Sequence, residues 1–428
     1  MKKLPIVLCL IALGSLLAAC AAPAAPPVDE EEPAVEEAEP TLEAAAIPAP
    51  AENLDGCVET YVEGIDYFPE KAEVTDAENF SVEYFNHYKV VTVTDAFDAA
   101  EPFTYVLVQC GTPAPEAGGF PDDTQFIEVP AGDIIAMSTT QLPHLTDLRL
   151  LDNLVGLDSF LFVNSPEVRD LIDAGELVEI GSGADVNVEV VLDVEPDIVM
   201  AFGFDPSTDA HPVLIEAGIF TALDASWREA TPLGRAEWLK YTALFYNVEA
   251  EAEVVYSEIV TAYESARELA ASVPEAERPT VLWNQFSSFT EAWIIPGAET
   301  YVGALIADAG GIIALGEEAP GDSAMLSLEA VYEGALDAEV WIANAFGITT
   351  LDALLDEDSR YADFAAVQNG NVWNDSLDVN ENGGNNYFEL GVTNPHLILQ
   401  DLVAIFHPDL LPDHEFNFYL RLEPADGE

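Results

Sequence analysis

Residues 249–272, EAEAEVVYSEIVTAYESARELAAS, place apolar side chains at Ala252, Val255, Ile259, Ala262, Tyr263, Ala266, Leu269 and Ala270. That is the three-to-four spacing of one helical face. Neither Gly nor Pro interrupts the run, so it predicts a helix about 36 Å long, a strut rather than an ordinary packing helix. On each side, short β-like runs alternate with helical segments. Before the strut, strands are predicted at 133–138, 154–157, 177–180, 198–202 and 220–223, with helices near 140–151, 166–174, 188–194, 212–217 and 234–246. Gly156, Gly175, Gly218 and Pro196 punctuate the joints. After it, strands are predicted at 280–285, 292–295, 340–344 and 372–374, and helices at 299–309, 328–332, 361–367 and 395–406. Strands separated by helices call for parallel sheets with right-handed crossovers. The pattern is therefore two α/β lobes, 55–248 and 273–428, joined by a backbone helix at 249–272, with a ligand held between them at the strand C-termini. One large α/β domain containing the helix is the alternative. Residues 56–111 read differently: 80–94 alternates, 103–109 is β-rich, and together they predict an extra N-terminal β-hairpin region at 80–109.

The first 19 residues stand outside this pattern. Lys2 and Lys3 precede an apolar run that ends in Leu17-Ala18-Ala19-Cys20, which resembles the lipobox of bacterial lipoproteins. The resemblance implies cleavage after residue 19 and a lipid on Cys20, against the alternative of an uncleaved anchor, for which 16 residues are short. Residues 20–54 are Ala-, Pro- and Glu-rich without periodicity and predict a disordered acidic tether. Loss of Lys2 and Lys3 leaves 11 basic against 79 acidic residues, a formal charge of −68. Such a charge repels nucleic acid and anionic membrane faces, so the lipid is the expected membrane contact. Cys57 and Cys110 are the cysteines left in an oxidising compartment. A disulfide between them is expected, two independent buried thiols being the alternative.

Two segments echo one another. Asn187-Val188-Glu189-Val190-Val191 precedes Asp197 and the predicted strand 198–202, and Ser327-Leu328-Glu329-Ala330-Val331 precedes Asp337 and strand 340–344. Both run capping residue, apolar residue, Glu, helix, Asp, strand. Together with IIAMSTT at 134–140, NVEVVLDVEPDIVMA at 187–201, EWLKY at 237–241, PGAETYVGALIADAGG at 296–311 and GGNNYFELG at 383–391, they make the chain resemble the substrate-binding proteins of ABC importers for iron–siderophore complexes and vitamin B12. The resemblance spans about 125–411 and implies a class III periplasmic-binding-protein-like α/β fold. It also implies an extracytoplasmic, monomeric binding protein whose partners are an ABC permease with its ATPase. In that family one glutamate per lobe docks on permease arginines, and the matching positions are Glu189 and Glu329. Helix-terminus stabilisation is the plainer role for both.

Candidate ligand-binding residues follow predicted strand ends: Thr139, Thr140, Phe202 and Phe204 on the first lobe, and Trp283, Phe286, Trp293, Asn344 and Phe346 on the second. Asn385, Asn386 and Tyr387 form a loop facing the cleft. Apolar walls with a few amides suit a bulky organic complex. Arg235 opens a helix at the lobe junction and suits a ligand carboxylate or phosphate, a structural ion pair being the alternative. The six histidines lack ligand spacing, so no bare metal site is expected. Asp378, Asn380, Asn382, Gly383 and Glu389 fit a calcium-loop formula, but a strand-like segment precedes them where a helix belongs. No Walker loop, HExxH or GxSxG motif occurs, and a binding protein without a cofactor is expected rather than an enzyme. Its expected ligand is a ferric siderophore or, alternatively, a corrinoid or haem. The acidity favours a neutral or cationic complex over a triply anionic catecholate. A sensor or scaffold on the same fold is a further alternative.

Overall fold

The computed structural model describes residues 48–425; Cys20, the signal segment and most of the expected tether lie outside them. Four strands come first: β1 (Phe80–Tyr84), β2 (Tyr88–Val93), β3 (Phe103–Gln109) and β4 (Gln125–Val129). The first three form an antiparallel meander, and β4 adds parallel to β3. The predicted single stretch 80–94 is thus a tight hairpin, turned where the Phe85 N–H donates to the Tyr88 carbonyl at 2.9 Å. Across the turn the inward face changes from even-numbered residues in β1 to odd-numbered ones in β2. Cys57 and Cys110 are disulfide-bonded, with their Cα atoms 4.6 Å apart.

The first lobe is built on β5 (Ile134–Ala136), β6 (Leu154–Leu157), β7 (Val178–Glu179), β8 (Ile198–Phe202) and β9 (Thr221–Asp224). They make one parallel sheet in the order β7-β6-β5-β8-β9. Strands β5, β8 and β9 are buried almost throughout, as expected for a sheet covered on both faces. The N-terminal meander is not a separate module. Phe80, Val91, Val93, Tyr105 and Leu107 share one core with Ile135, Met200, Trp238 and Phe245.

The second lobe contains β10 (Thr280–Trp283), β11 (Phe286–Ser287), β12 (Ala292–Ile295), β13 (Ile312–Ile313), β14 (Ala324–Leu326), β15 (Val340–Ile342), β16 (Val372–Asn374) and β17 (Leu420–Arg421). Its main sheet runs β13-β10-β15-β16-β17, parallel except for β17, and β11-β12-β14 is a small antiparallel sheet beside it. The two- and three-residue strands β11, β13, β14 and β17 are too short to show a period in sequence.

The backbone helix spans Glu249–Ala271 and buries Ala252, Tyr256, Ile259, Tyr263, Ala266 and Ala270. Ala252 belongs to the first lobe's core, Tyr263, Ala266 and Ala270 to the second's, and Tyr256 and Ile259 lie in a small cluster between them with Ala236. One apolar stripe is therefore shared by two cores, which is what makes the helix a strut.

Three predicted helices are interrupted, the segment 361–367 falling on a 3₁₀ turn, Ser359–Asp363, and a four-residue helix, Ala365–Gln368, with Phe364 extended between them. The segment 140–151 becomes a single 3₁₀ turn and a helix at Leu142–Asp147, after which Arg149 adopts a left-handed φ of 59°. The segment 234–246 is two helices, Pro232–Ala236 and Trp238–Leu244. At their junction the buried Glu237 carboxylate accepts the N–H groups of Thr75, Asp76 and Ala77 at 2.6–3.0 Å and bonds Lys240. The helix Leu351–Glu357, capped by Thr350, was not expected from the pattern.

Candidate functional site

Three strands of the second lobe end at one place. β10 ends in Trp283 and passes into Asn284, β15 leads to Asn344, and β16 is followed by Asp375. Asn284 and Asn344 both take left-handed backbone conformations, with φ of 67° and 42°. Outside glycine such conformations cluster at functional sites. Their amides meet, Asn344 Nδ2 donating to Asn284 Oδ1 at 3.3 Å. With Ile294, Thr300, Tyr301, Ser323, Tyr387, Phe388, Val392 and Arg235 they surround a cavity of about 460 Å³ at the lobe junction. This is the size and mixed lining of a ligand site. Hollows of about 750 and 670 Å³ lie at the opposite ends of the second lobe's strands, around Asp337 and Glu339. In open α/β sheets ligands bind at strand C-termini, which favours the junction cavity.

Arg235 is the first lobe's contribution. Its short helix is capped by Thr231, and its guanidinium donates to the backbone carbonyls of Glu229 at 3.1 Å and Trp227 at 2.8 Å. The group stacks over the Tyr301 ring, 3.9 Å from the centroid. Among the described residues no carboxylate forms an ion pair with it, and burial lowers its pKa while Tyr301, Tyr387 and Glu229 pull it back up. Glu229 is itself occupied by the N–H groups of Glu78 and Asn79 and the Trp238 indole. Arg228, by contrast, is spent on Asp95 at 2.7 Å and Asp98 at 3.0 Å. The buried Tyr301 hydroxyl has no partner of hydrogen-bonding geometry, and burial pushes its pKa up to about 12, held back by Arg235 and Tyr387. Asp375, facing the same cavity, is pushed up to about 6 by burial. The site thus offers a cation, an unsatisfied phenol, two amides and apolar walls.

Of the residues read from sequence, Arg235, Trp283, Asn344 and Tyr387 line this cavity. Phe202, the last residue of β8, and Phe204 stand 43% and 67% exposed and Phe346 stands 83% exposed on the second lobe, and none of the three lines this cavity. Thr139 and Thr140 form a half-buried turn, and the Thr140 carbonyl accepts a bond from Thr393 across the lobes at 3.4 Å. Trp293 is elsewhere: it is fully buried, packs tilted or edge-on among Trp341, Tyr361 and Phe364, and its indole donates to the Trp283 carbonyl at 2.7 Å. Phe286 packs on the same core. Asn385 spends its side chain on the Asp375 carbonyl and the Tyr387 N–H, and Asn386 lines a second inter-lobe cavity. Thr300, Tyr301, Asn284, Ser323 and Asp375 were not picked out, although Thr300 and Tyr301 fall within the PGAETYVGALIADAGG segment that carried the resemblance.

The calcium-formula residues are engaged in protein contacts. Asp378 accepts the Asn386 amide, and the Asn380 side chain bridges Asn382, Gly384, Leu161 and Val163. Glu389 binds the N–H groups of Asn164 and Ser165. Asn382 contributes its backbone N–H. Among the described residues no group of three or more His, Cys, Asp or Glu is arranged to hold a metal ion. His144 is buried against Thr242, which drives its pKa down to about 4, and His407 and His414 bond Gly310 and Asp401.

Glu189 and Glu329 occupy the same place in the two lobes. Each is the exposed second residue of a helix, Val188–Val194 or Leu328–Gly334, capped by Asn187 or Ser327. Each helix leads to the strand beside the sheet's first strand, β8 next to β5 and β15 next to β10. Glu329 also touches Arg360 at 3.3 Å.

A two-lobed α/β framework of this kind is found in known proteins. The solved structure of a periplasmic binding protein from Veillonella parvula superposes with a TM-score of 0.51 at 13% identity, over 77% of this chain and 98% of that one. Helicobacter pylori CeuE with Ni(II) bound superposes at 0.50 and 17% identity, over 68% and 88%. In sequence, two uncharacterized lipoproteins of Methanocaldococcus jannaschii are similar: MJ0878 at 24% identity over 70% of this chain and 71% of its own length, and MJ0872 at 25% over 74% and 80%. Among the described residues no helix is long and apolar enough to cross a membrane. Residues 134–376 match the family model described as periplasmic binding protein, more than half of the chain, and the chain belongs to that family of ABC-transporter substrate-binding proteins.

Proposed function

We propose that this chain is an extracytoplasmic lipoprotein, anchored through Cys20, that captures a bulky ferric-siderophore complex between its lobes and delivers it to an ABC importer. The observation that carries the reading is the junction cavity of about 460 Å³, with Arg235 from one side and Asn284, Asn344, Tyr301 and Phe388 from the other. A ligand larger than such a cavity would meet Phe388 in its wall and, in this reading, the exposed Phe202, Phe204 and Phe346. With Arg228 already paired, Arg235 is the cation among the described lining residues. One guanidinium satisfies one anionic group, so a triply anionic catecholate complex would leave charge unpaired in a desolvated site. A ferric hydroxamate or a corrinoid meets the charge condition.

The deciding experiment is native mass spectrometry of the full chain purified from its own host, followed by competition among ferric hydroxamate, corrinoid and ferric catecholate at fixed ionic strength. A co-purifying ferric hydroxamate supports the reading. A corrinoid moves the ligand class within the same mechanism, and catecholate binding tighter than both others defeats the charge argument. Failure of every metal complex to bind defeats the proposal.

A further inference from the structure

The turn Tyr387–Gly391 divides two spaces. Tyr387 and Phe388 line the junction cavity, whereas Glu389 and Leu390, with Asn386 and Asp378, line a separate inter-lobe cavity of about 330 Å³. The turn is π-helical, a rare form in which an extra residue re-aims neighbouring side chains. On its far side Glu389 is 2% exposed, and its carboxylate accepts the N–H of Asn164 at 2.7 Å and of Ser165 at 2.6 Å, both on the other lobe. Those groups lead into the helix Pro166–Ala174, whose cap is Ser165. Short bonds from N–H groups to a buried carboxylate are the strong kind.

The same loop makes further contacts with the same segment. Asn380 Nδ2 lies 3.0 Å from the Leu161 carbonyl and 3.1 Å from that of Val163, while its Oδ1 accepts the N–H groups of Asn382 and Gly384. A Cβ at Gly384 would collide with the Phe162 carbonyl, so the two backbones approach as closely as glycine permits. The residues that spell a calcium formula are thus placed to hold one lobe's loop on the other's.

We propose that Glu389 is a positioning residue for ligand capture: its two inter-lobe bonds lock residues 378–391 onto residues 161–165 and thereby set the cleft wall made by Tyr387 and Phe388. Only the consequence for capture rests on the function proposed above; the lock itself does not.

Hydrogen exchange on the full-length, ligand-free chain tests it. Glu389→Gln keeps the side chain's length but sets an amide N–H₂ against one of the two donors. The amides of Asn164 and Ser165 and the turn Tyr387–Gly391 are expected to exchange about tenfold faster or more, while the helix Pro395–Phe406 exchanges as in wild type. A space-filling role predicts no change in Glu389→Gln, and that result overturns the proposal. So does protection of residues 378–391 by millimolar calcium that EDTA reverses, because the loop is then a metal loop. Asn380→Ala, which leaves Glu389 intact, is expected to loosen the same two segments to a smaller degree, and serves should Glu389→Gln fold poorly. Dissociation of a ferric hydroxamate probe from Glu389→Gln is expected to be faster with association unchanged. If wild type binds no such probe while the exchange result holds, the ligand reading fails and the lock stands.

Discussion

The guanidinium of Arg235 lies 3.9 Å from the ring centroid of Tyr301, so that a cation of the lobe junction is held flat on the first residue of a second-lobe helix. Stacking and two carbonyl acceptors orient the fork without neutralising it. Replacing Arg235 by Ala is expected to weaken capture of the co-purified ligand about tenfold or more, read by titration calorimetry. Arg235→Lys should restore little of the loss, because an ammonium reproduces neither the stacking nor the fork. Full rescue by Lys would show that charge alone matters.

Glu189 and Glu329 are exposed and are not among the residues that line the cavity. Changing both to Gln is expected to leave ligand affinity unaltered while uptake by cells falls about tenfold or more, as lost charge pairs at an interface do. Unaltered uptake would reduce the two glutamates to helix-terminus residues.

Lys89 and Glu249 form a wholly buried pair at 2.7 Å, and the ammonium also reaches the Leu244 carbonyl and Asn247. Burial draws the lysine's pKa down and Glu249 pushes it back up. The pair joins β2 to the first residue of the backbone helix. Lys89→Ala strands a buried carboxylate and is expected to cost about 3–5 kcal/mol in urea unfolding. The double change Lys89→Met with Glu249→Leu should cost clearly less. Equal costs would mean that packing, not charge, dominates there.

Asp147 lines the inter-lobe cavity, and burial pushes its carboxyl up to about 6 from 3.8. A carboxyl raised on folding binds its proton more tightly in the native state. Its contribution is therefore fully present below about pH 4 and is lost as pH rises through about 6. Asp147→Asn is expected to gain up to roughly 2 kcal/mol relative to wild type at pH 7.5 and nothing at pH 3.5. Denaturant midpoints across that range check it, and a pH-independent difference would remove the carboxyl from the account.

The strut 249–271, the parallel strands 154–157 and 198–202, the antiparallel strand 292–295 and the capped glutamate segments were legible because each is a local pattern of apolar spacing, caps and breakers. The cysteine pair was legible by parity, and the disulfide expected from it is formed. Long-range proximity was the part out of reach. Trp283 and Trp293 look alike in sequence, yet one lines the cavity and the other is sealed in the core, because β12 turns its tryptophan beneath β10. Tyr301 and Asn284 become site residues only when three strand ends and a helix start converge. Glu389 reads as the last ligand of a calcium loop until the other lobe brings two N–H groups to it. Local sequence determined the elements and their order; which polar groups are left without partners at a lobe junction was decided by tertiary packing, since only packing removes the water that would otherwise satisfy them.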